Sequence, residues 1–258
     1  NNTGKKRIAK DMLDRYTGSD VGEFHQHIIL TNFDYYLQEF VKQYDAQLYN
    51  GSVFRVAHSK KVGITMVDFK VGSPTAALVV ELLSAIEPDA VLFLGMVGGL
   101  HRSLKVGDFI LPMAAIRDEG VSRHFLPRQV PAMPTFKIQK FVSQILVDEG
   151  LEYRTGVVHT TDYRFWEFNE SFKDVLYSER ALGIEMECAA LFIAGFASKV
   201  PIGALLLVSD TPLKRGGIKT KKSAKKVFKD HTTIHLKVGV KAMSEIQTKG
   251  ENIRHYQW

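Results

Sequence analysis

Cysteine is almost absent from this sequence of 258 residues. Because Cys188 stands alone, an internal disulfide is impossible, and the CxxC arrangements of zinc sites and redox enzymes are excluded. Long apolar runs are also missing, since the longest uncharged apolar stretch, residues 189–197, is far shorter than a membrane span. The polar start, Asn1-Asn2-Thr3-Gly4, does not have the pattern of a signal peptide. These absences predict a soluble, cytoplasmic protein with no membrane partner.

The chain has no internal repeat and no stretch rich in Gly, Ser or Pro that would mark a linker between two domains. Its composition, 45% hydrophobic and 24% charged, is that of an ordinary globular protein rather than a disordered or fibrous one. We therefore expect a single domain over residues 25–258, preceded by an N-terminal extension over residues 1–24.

Acidic residues are missing from residues 214–229, which hold eight of the 34 Lys and Arg residues. The formal charge of +6 comes from this lysine-rich stretch, because the rest of the chain has 26 basic and 28 acidic residues. A basic cluster is typical of nucleic-acid-binding proteins. Here the aromatic residues of a single-strand-binding platform are not interleaved with the lysines, so we expect no nucleic-acid partner. A nucleic-acid-binding module is the alternative from a different class.

Apolar patterning predicts strands that alternate with helices. The predicted strands are residues 26–30, 53–57, 62–69, 90–94, 108–112, 155–159, a short strand at Ile184, and 202–208. The predicted helices start near Tyr36 and at Ser73-Pro74, and cover residues 168–178, 188–198 and 223–247. Ser73 is predicted to cap its helix through its hydroxyl, with Pro74 as the first helical residue. This alternation predicts an α/β fold with a mostly parallel, mixed sheet covered by helices on both faces.

Three of the predicted strands are followed by residues that suit a ligand site, which in such sheets lies beyond the carboxyl ends of the strands. Gly98 and Gly99 are expected to form a tight turn, in which the backbone can approach a ligand closely. Glu185 and Glu187 flank a methionine where a strand passes into an apolar helix, and the simplest role of Glu187 is to cap that helix. Asp210 emerges from a strongly apolar strand, where burial would raise its pKa and let it donate a proton near neutral pH. A helix cap or a turn is the simpler alternative for Asp210.

Taken together, these motifs resemble the nucleoside phosphorylase and nucleosidase superfamily, and within it the catalytic part of the bacterial AMP nucleosidases. The resemblance extends over about residues 26–246. The matching stretches are Val71-Gly72-Ser73-Pro74, Gly98-Gly99-Leu100, Arg117-Asp118, Arg154-Thr155-Gly156, Thr160-Thr161-Asp162, Trp166-Glu167, Ile184-Glu185-Met186-Glu187, Val200-Pro201 and Val208-Ser209-Asp210.

The resemblance implies an enzyme of purine nucleotide salvage that hydrolyses the N-glycosidic bond of AMP to adenine and ribose 5-phosphate, without a cofactor. It implies that Asp210 is the general acid toward purine N7 and that Glu187 binds the ribose hydroxyls. The other implied substrate-binding residues are Met186, Glu185, Gly98, Gly99, Phe165 or Trp166 as the base-stacking aromatic, and, for the 5′-phosphate, Arg164 first and then Arg117, Arg123, Lys214 and Lys219. Assembly into a homo-oligomer, a hexamer built from dimers, is also implied.

The attacking nucleophile distinguishes the alternatives within the superfamily. Purine nucleoside phosphorylases hold phosphate with two arginines and a serine, and the corresponding positions here are Tyr35, Phe93 and Met96. Water is therefore the favoured nucleophile, but Thr31-Asn32 stands where related nucleosidases have their water-activating glutamate. A phosphorylase or nucleosidase acting on an unphosphorylated nucleoside is one alternative, and a non-catalytic nucleotide-binding protein is another. No metal is expected, because His231 and His235, four apart on the last helix, have no third ligand in view.

Overall fold

The computed structural model describes residues 2–249 and has a nine-stranded mixed sheet at its centre. The strands are β1 His27–Thr31, β2 Gln47–Asn50, β3 Arg55–Ser59, β4 Ile64–Asp68, β5 Ala90–Gly99, β6 Phe109–Asp118, β7 Tyr153–Thr161, β8 Gly183–Glu185 and β9 Ile202–Asp210. Within residues 2–249 the α-helices are α1 Asn2–Thr17, α2 Asp34–Tyr44, α3 Ser73–Leu83, α4 Phe136–Asp148, α5 Glu170–Glu179, α6 Cys188–Ser198 and α7 Lys221–Lys249.

Five of the strands close into a ring. The sheet runs in the order β2-β3-β4-β1-β5-β8-β7-β6-β9, and β9 pairs again with β5. The β5–β9 pairing is parallel and starts at Val91 and Ile202, whereas β9 pairs antiparallel with β6. β1 lies parallel between β4 and β5, and β2 and β3 continue the sheet in antiparallel fashion. The predicted mixed sheet is confirmed, and the ring is an addition to it.

Helices cover both faces of the sheet, as predicted. Residues of α1, α3 and α6 form one apolar core with one face of the strands, and residues of α2, α4 and α7 form a second core with the other face. Helix α6 is apolar on all sides, and its residues from Cys188 to Gly195 are buried. It can be buried in this way because it lies between the sheet and α3, which it contacts extensively.

The structure corrects two local predictions. Gly98 and Gly99 are not a turn after the strand but its last two residues, and they pair with Ile184 and Gly183 of β8. Ser73 does not cap α3, because it lies within the helix and its hydroxyl donates to the carbonyl oxygen of Met186 at 2.6 Å. That bond ties the start of α3 to the segment that follows β8.

Among the helices of residues 2–249, none combines the length and the apolar character that crossing a bilayer requires.

Candidate active site

A pocket opens at the carboxyl ends of β1, β5, β7, β8 and β9, the edge of the sheet at which the sequence predicted a ligand site. Seven of the ten predicted site residues line this pocket: Asp210, Glu187, Met186, Glu185, Gly98, Trp166 and Arg164. Gly99, Phe165 and Arg117 do not line it. The strand ends therefore bring together residues that are far apart in the sequence.

Glu185 is the carboxylate that caps α6. Its side chain accepts hydrogen bonds from the backbone N–H groups of Glu187 and Cys188, both at 2.7 Å, and from the hydroxyl of Thr160. Burial raises its pKa, and these three donors oppose that rise because they stabilise the charged form. The capping role that was predicted as the simplest one for Glu187 therefore belongs to Glu185.

Glu187 is free of helix capping and lines the pocket. Its two carboxyl oxygens accept from the backbone N–H of Gly72 at 2.7 Å and from that of Met186 at 3.3 Å, and the Asn32 side chain also hydrogen-bonds it. Burial, and then the charge of Glu185, raise the pKa of Glu187 to about 8. An acceptor with spare lone pairs, held by backbone donors, suits the binding of sugar hydroxyls.

Asp210 ends β9 with its carboxyl partly buried in the same pocket. Burial raises its pKa, against the opposing effects of a hydrogen bond from the Ser209 hydroxyl at 2.7 Å and of the positive charges of Lys219 and Arg164. A carboxyl group whose pKa is raised toward neutrality can keep a proton and donate it to a bound ligand.

Two of the five predicted phosphate-binding cations, Arg164 and Lys219, line the pocket. The Arg164 guanidinium donates to Glu167 at 2.8 Å and is half exposed. The Lys219 ammonium lies 3.4 Å from the sulfur of Met96 and 5.3 Å from the centre of the Phe33 ring, and burial lowers its pKa. Among residues 2–249 these are the two Lys or Arg side chains that line the pocket.

The other predicted cations have different surroundings. Arg117 is buried, and its guanidinium donates to the Ser122 hydroxyl and to the carbonyl oxygens of Leu126, Pro127 and Val130. It clamps the loop that follows β6, and these bonds hold it away from the pocket. Lys214 donates to the carbonyl oxygen of Leu104 at 2.7 Å, and Arg123 is exposed.

The two candidates for the base-stacking aromatic residue differ in their exposure. Trp166 is 4% exposed and lines the pocket, whereas Phe165 is 67% exposed and lies outside it. Sequence reasoning missed Phe33, and it gave no individual role to Tyr163 or Glu167; all three also line the pocket. Their positions were a usable signal, because Phe33 follows the end of β1, and Tyr163 and Glu167 follow that of β7.

His235 takes part in a buried link between α2 and β9, rather than lying on a solvated helix face. Its Nδ1 lies 2.7 Å from the Tyr36 hydroxyl and its Nε2 2.9 Å from the carbonyl oxygen of Leu205. Both ring nitrogens are thus occupied by protein groups, and the residue has a structural role.

The fold is that of the phosphorylase superfamily. The model of that family matches residues 18–239, and the chain belongs to it. Among its relatives, the AMP nucleosidase of Escherichia coli strain K12 is 30% identical over 286 residues, which cover 93% of this chain and 59% of that protein. The chain therefore spans about three fifths of the length of that relative.

Solved structures agree with this assignment. The crystal structure of AMP nucleosidase from Bacteroides thetaiotaomicron has a TM-score of 0.85 and 38% sequence identity, and the match covers 95% of this chain and 98% of that one. A uridine phosphorylase from Vibrio fischeri has a TM-score of 0.77 at 20% identity, covering 87% of this chain and 94% of that one, and shares the fold. The predicted family and fold are confirmed.

Proposed function

We propose that the chain hydrolyses AMP to adenine and ribose 5-phosphate. The observation that carries the proposal is the pair of functional carboxyl groups, Asp210 and Glu187, that line one pocket and whose pKa values are raised by burial. The similarity to two AMP nucleosidases over nearly the whole of this chain supports the same substrate.

The reaction breaks the bond between C1′ of the ribose and N9 of the purine. Asp210 donates its proton to N7, so that the purine accepts the electron pair of the broken bond and leaves as a neutral base. Glu187 accepts hydrogen bonds from the ribose hydroxyls, with Met186 against the sugar and Trp166 against the base. Water adds to C1′ and gives up a proton, which replaces, through the solvent, the one that Asp210 donated, and the product is ribose 5-phosphate.

The distribution of charge supports water rather than inorganic phosphate as the nucleophile. Phe93 is fully buried in the apolar core, and Met96, which does line the pocket, is uncharged. Lys219 and the guanidinium nitrogens of Arg164 that do not pair with Glu167 are then available for one dianion, and we assign that dianion to the 5′-phosphate of AMP. Arg117 has no part in this assignment.

A product assay tests the proposal. The protein is incubated with AMP, adenosine, inosine and methylthioadenosine, each with and without inorganic phosphate, and the free base is measured. We expect adenine release from AMP that does not depend on phosphate. A requirement for phosphate would instead identify a phosphorylase.

Asp210→Asn tests the role of the general acid. The variant cannot donate the proton to N7, so kcat for AMP should fall by at least about 100-fold. Binding of AMP, measured by calorimetry, should remain detectable because the carboxamide has almost the same shape. Activity close to that of the unaltered protein would remove Asp210 from the role of proton donor.

A further inference from the structure

Glu167 has one carboxylate oxygen fixed and the other free. Its side chain is 5% exposed, and Oε1 accepts from Arg164 Nη1 at 2.8 Å. Oε2 is buried, and no group of residues 2–249 donates a hydrogen bond to it. A buried carboxylate oxygen without a donor is unfavourable, so such a group indicates a site for a ligand that donates.

The position of Glu167 indicates which part of a nucleotide it faces. Glu167 lines the same pocket as Asp210, directly after Trp166, and its charge acts on Asp210. If Asp210 meets N7 of the purine, a neighbouring side chain meets the substituent on C6, because N7 and C6 lie on the same edge of the base.

Adenine and the 6-oxopurines differ at C6 in hydrogen-bonding character. Adenine carries an amino group, which donates, whereas hypoxanthine and guanine carry a carbonyl oxygen, which accepts. A carboxylate accepts only, so it pairs with the amino group and is opposed by the carbonyl oxygen. Arg164 holds this carboxylate in place by pairing with its other oxygen.

We propose that Glu167 selects adenine nucleotides, by accepting a hydrogen bond from the 6-amino group through Oε2. This inference rests on the proposed function, since it takes the orientation of the base from the contact between Asp210 and N7. Glu167 is then a specificity-determining residue of the pocket, and Arg164 is the residue that positions it.

Glu167→Gln is the informative substitution. The Arg164 guanidinium only donates, so it should hold the amide oxygen of the glutamine and leave the NH₂ group facing the pocket. That group donates to a 6-oxopurine and opposes the 6-amino group of adenine. The ratio of kcat/KM for AMP to that for IMP should therefore fall at least tenfold, with a gain for IMP as well as a loss for AMP.

Glu170→Gln is the matched control, because it is the same change three residues along the chain. Glu170 is exposed and pairs with Lys173 at 2.7 Å outside the pocket. Its AMP to IMP ratio should equal that of the unaltered protein. A ratio for Glu167→Gln within threefold of the unaltered protein would overturn the proposal.

A measurement on the unaltered protein covers the case in which Glu167→Gln does not fold. The bases are used as inhibitors of AMP cleavage, and adenine should have an inhibition constant at least ten times lower than those of hypoxanthine and of purine, which lacks a C6 substituent. Equal constants for the three bases would contradict the role of Glu167. Dependence of cleavage on inorganic phosphate would contradict the hydrolysis alone, because the base preference can be measured equally well in a phosphorolysis assay.

Discussion

Glu185 and Glu187 have the same side chain in different surroundings, and this difference sets their roles. The Glu185 carboxylate accepts hydrogen bonds from three protein donors at the start of α6. Of the two side chains, it is therefore the better placed to carry a negative charge. Glu187 lies beside that charge and is buried, so its protonated form is favoured until the pH reaches about 8. The pair thus divides into a structural carboxylate and one whose protonation the pocket controls.

Glu187→Gln should become more stable relative to the unaltered protein as the pH rises from 5 to 8. The pKa of Glu187 is raised in the folded state, so folding favours the protonated form, and that stabilisation is lost as the pH rises toward the folded pKa. Glutamine stays neutral, and the difference in stability should grow to several kcal/mol at pH 8, which is several degrees or more in Tm. Thermal unfolding of both proteins across this range measures it, and parallel curves would show that the folded pKa of Glu187 is not raised.

Arg164→Ala should raise the KM for AMP at least tenfold more than the KM for adenosine. The two substrates share the base and the ribose, so any change at Glu167 affects both, and the excess for AMP reports the contact with the 5′-phosphate. Arg123→Ala is the control, because Arg123 is exposed and lies outside both the pocket and the lysine-rich stretch. Equal effects of Arg164→Ala on both substrates would remove Arg164 from phosphate binding.

The sequence predicts which residue types follow the strands. It does not predict which of several residues of the same type reach the pocket. Arg117 and Arg164 both lie in matching motifs, yet the loop after β6 folds back and surrounds Arg117 with carbonyl oxygens. The path of that loop has no hydrophobic periodicity from which it could be predicted. Gly99 and Phe165 likewise each adjoin a residue that lines the pocket.

The turn between β4 and α3 is shaped around Glu187. Gly72 has φ 106° and ψ 153°, a conformation that is open to glycine and unfavourable for other residues. The turn thereby aims the Gly72 N–H at the Glu187 carboxyl at 2.7 Å. The backbone conformation at Gly72 therefore helps to hold the Glu187 side chain in the pocket.

Gly72→Ala should lower the stability by about 1–3 kcal/mol and weaken binding of the nucleotide. The reason is conformational rather than steric, because the nearest atom to an added Cβ is Pro74 Cδ at 3.8 Å. Chemical denaturation and the KM for AMP measure the two effects. Gly150→Ala is the control, since Gly150 also has a positive φ, 66°, in open space but lies outside the pocket. It should lower stability alone, and an unchanged KM for Gly72→Ala would separate the turn from the substrate site.

At the scale of elements, the strongly apolar runs were predictable and the weakly patterned ones were not. The strands at residues 90–94 and 202–208 and the helix Cys188–Ser198 were identified, although the structure extends both strands. Helices α1 and α4 and strand β2 were missed. Strand β2 pairs along one side only and is partly exposed, so its sequence Gln-Leu-Tyr-Asn carries little pattern. Helix α4 follows a stretch with three prolines, which hides its start because prolines interrupt a helical pattern.

Across the whole molecule, positive charge is concentrated at one side of the pocket. The lysine-rich stretch, residues 214–229, contains Lys219, which lines the pocket, and continues into the first turns of α7. A local field of this kind attracts an anionic ligand and is screened by salt.

The kcat/KM for AMP should fall about three- to tenfold between 20 and 300 mM NaCl, since screening weakens the attraction between the lysine-rich stretch and the phosphate. Adenosine is uncharged, so its kcat/KM should change little, and it serves as the internal control. Equal salt effects on both substrates would remove the stretch from substrate attraction.

The ring of strands was beyond prediction from the sequence. Alternating strands and helices predict a sheet, but the pairing of β9 with β5 joins segments that are far apart in the chain and carries no local signal. The way in which copies of the chain assemble also carries no local signal in the sequence. The hexamer therefore remains a prediction.

The ring has a consequence for the order in which the protein can be made. Strand β9 closes the ring and also ends in Asp210. The same segment therefore completes the ring and supplies the proposed general acid. Pairings between distant segments form late, because the intervening chain must first be available. A nascent chain that has not yet emerged from the ribosome through residue 210 therefore has neither the closed ring nor the complete pocket, and the proposed activity can arise only after that residue has emerged.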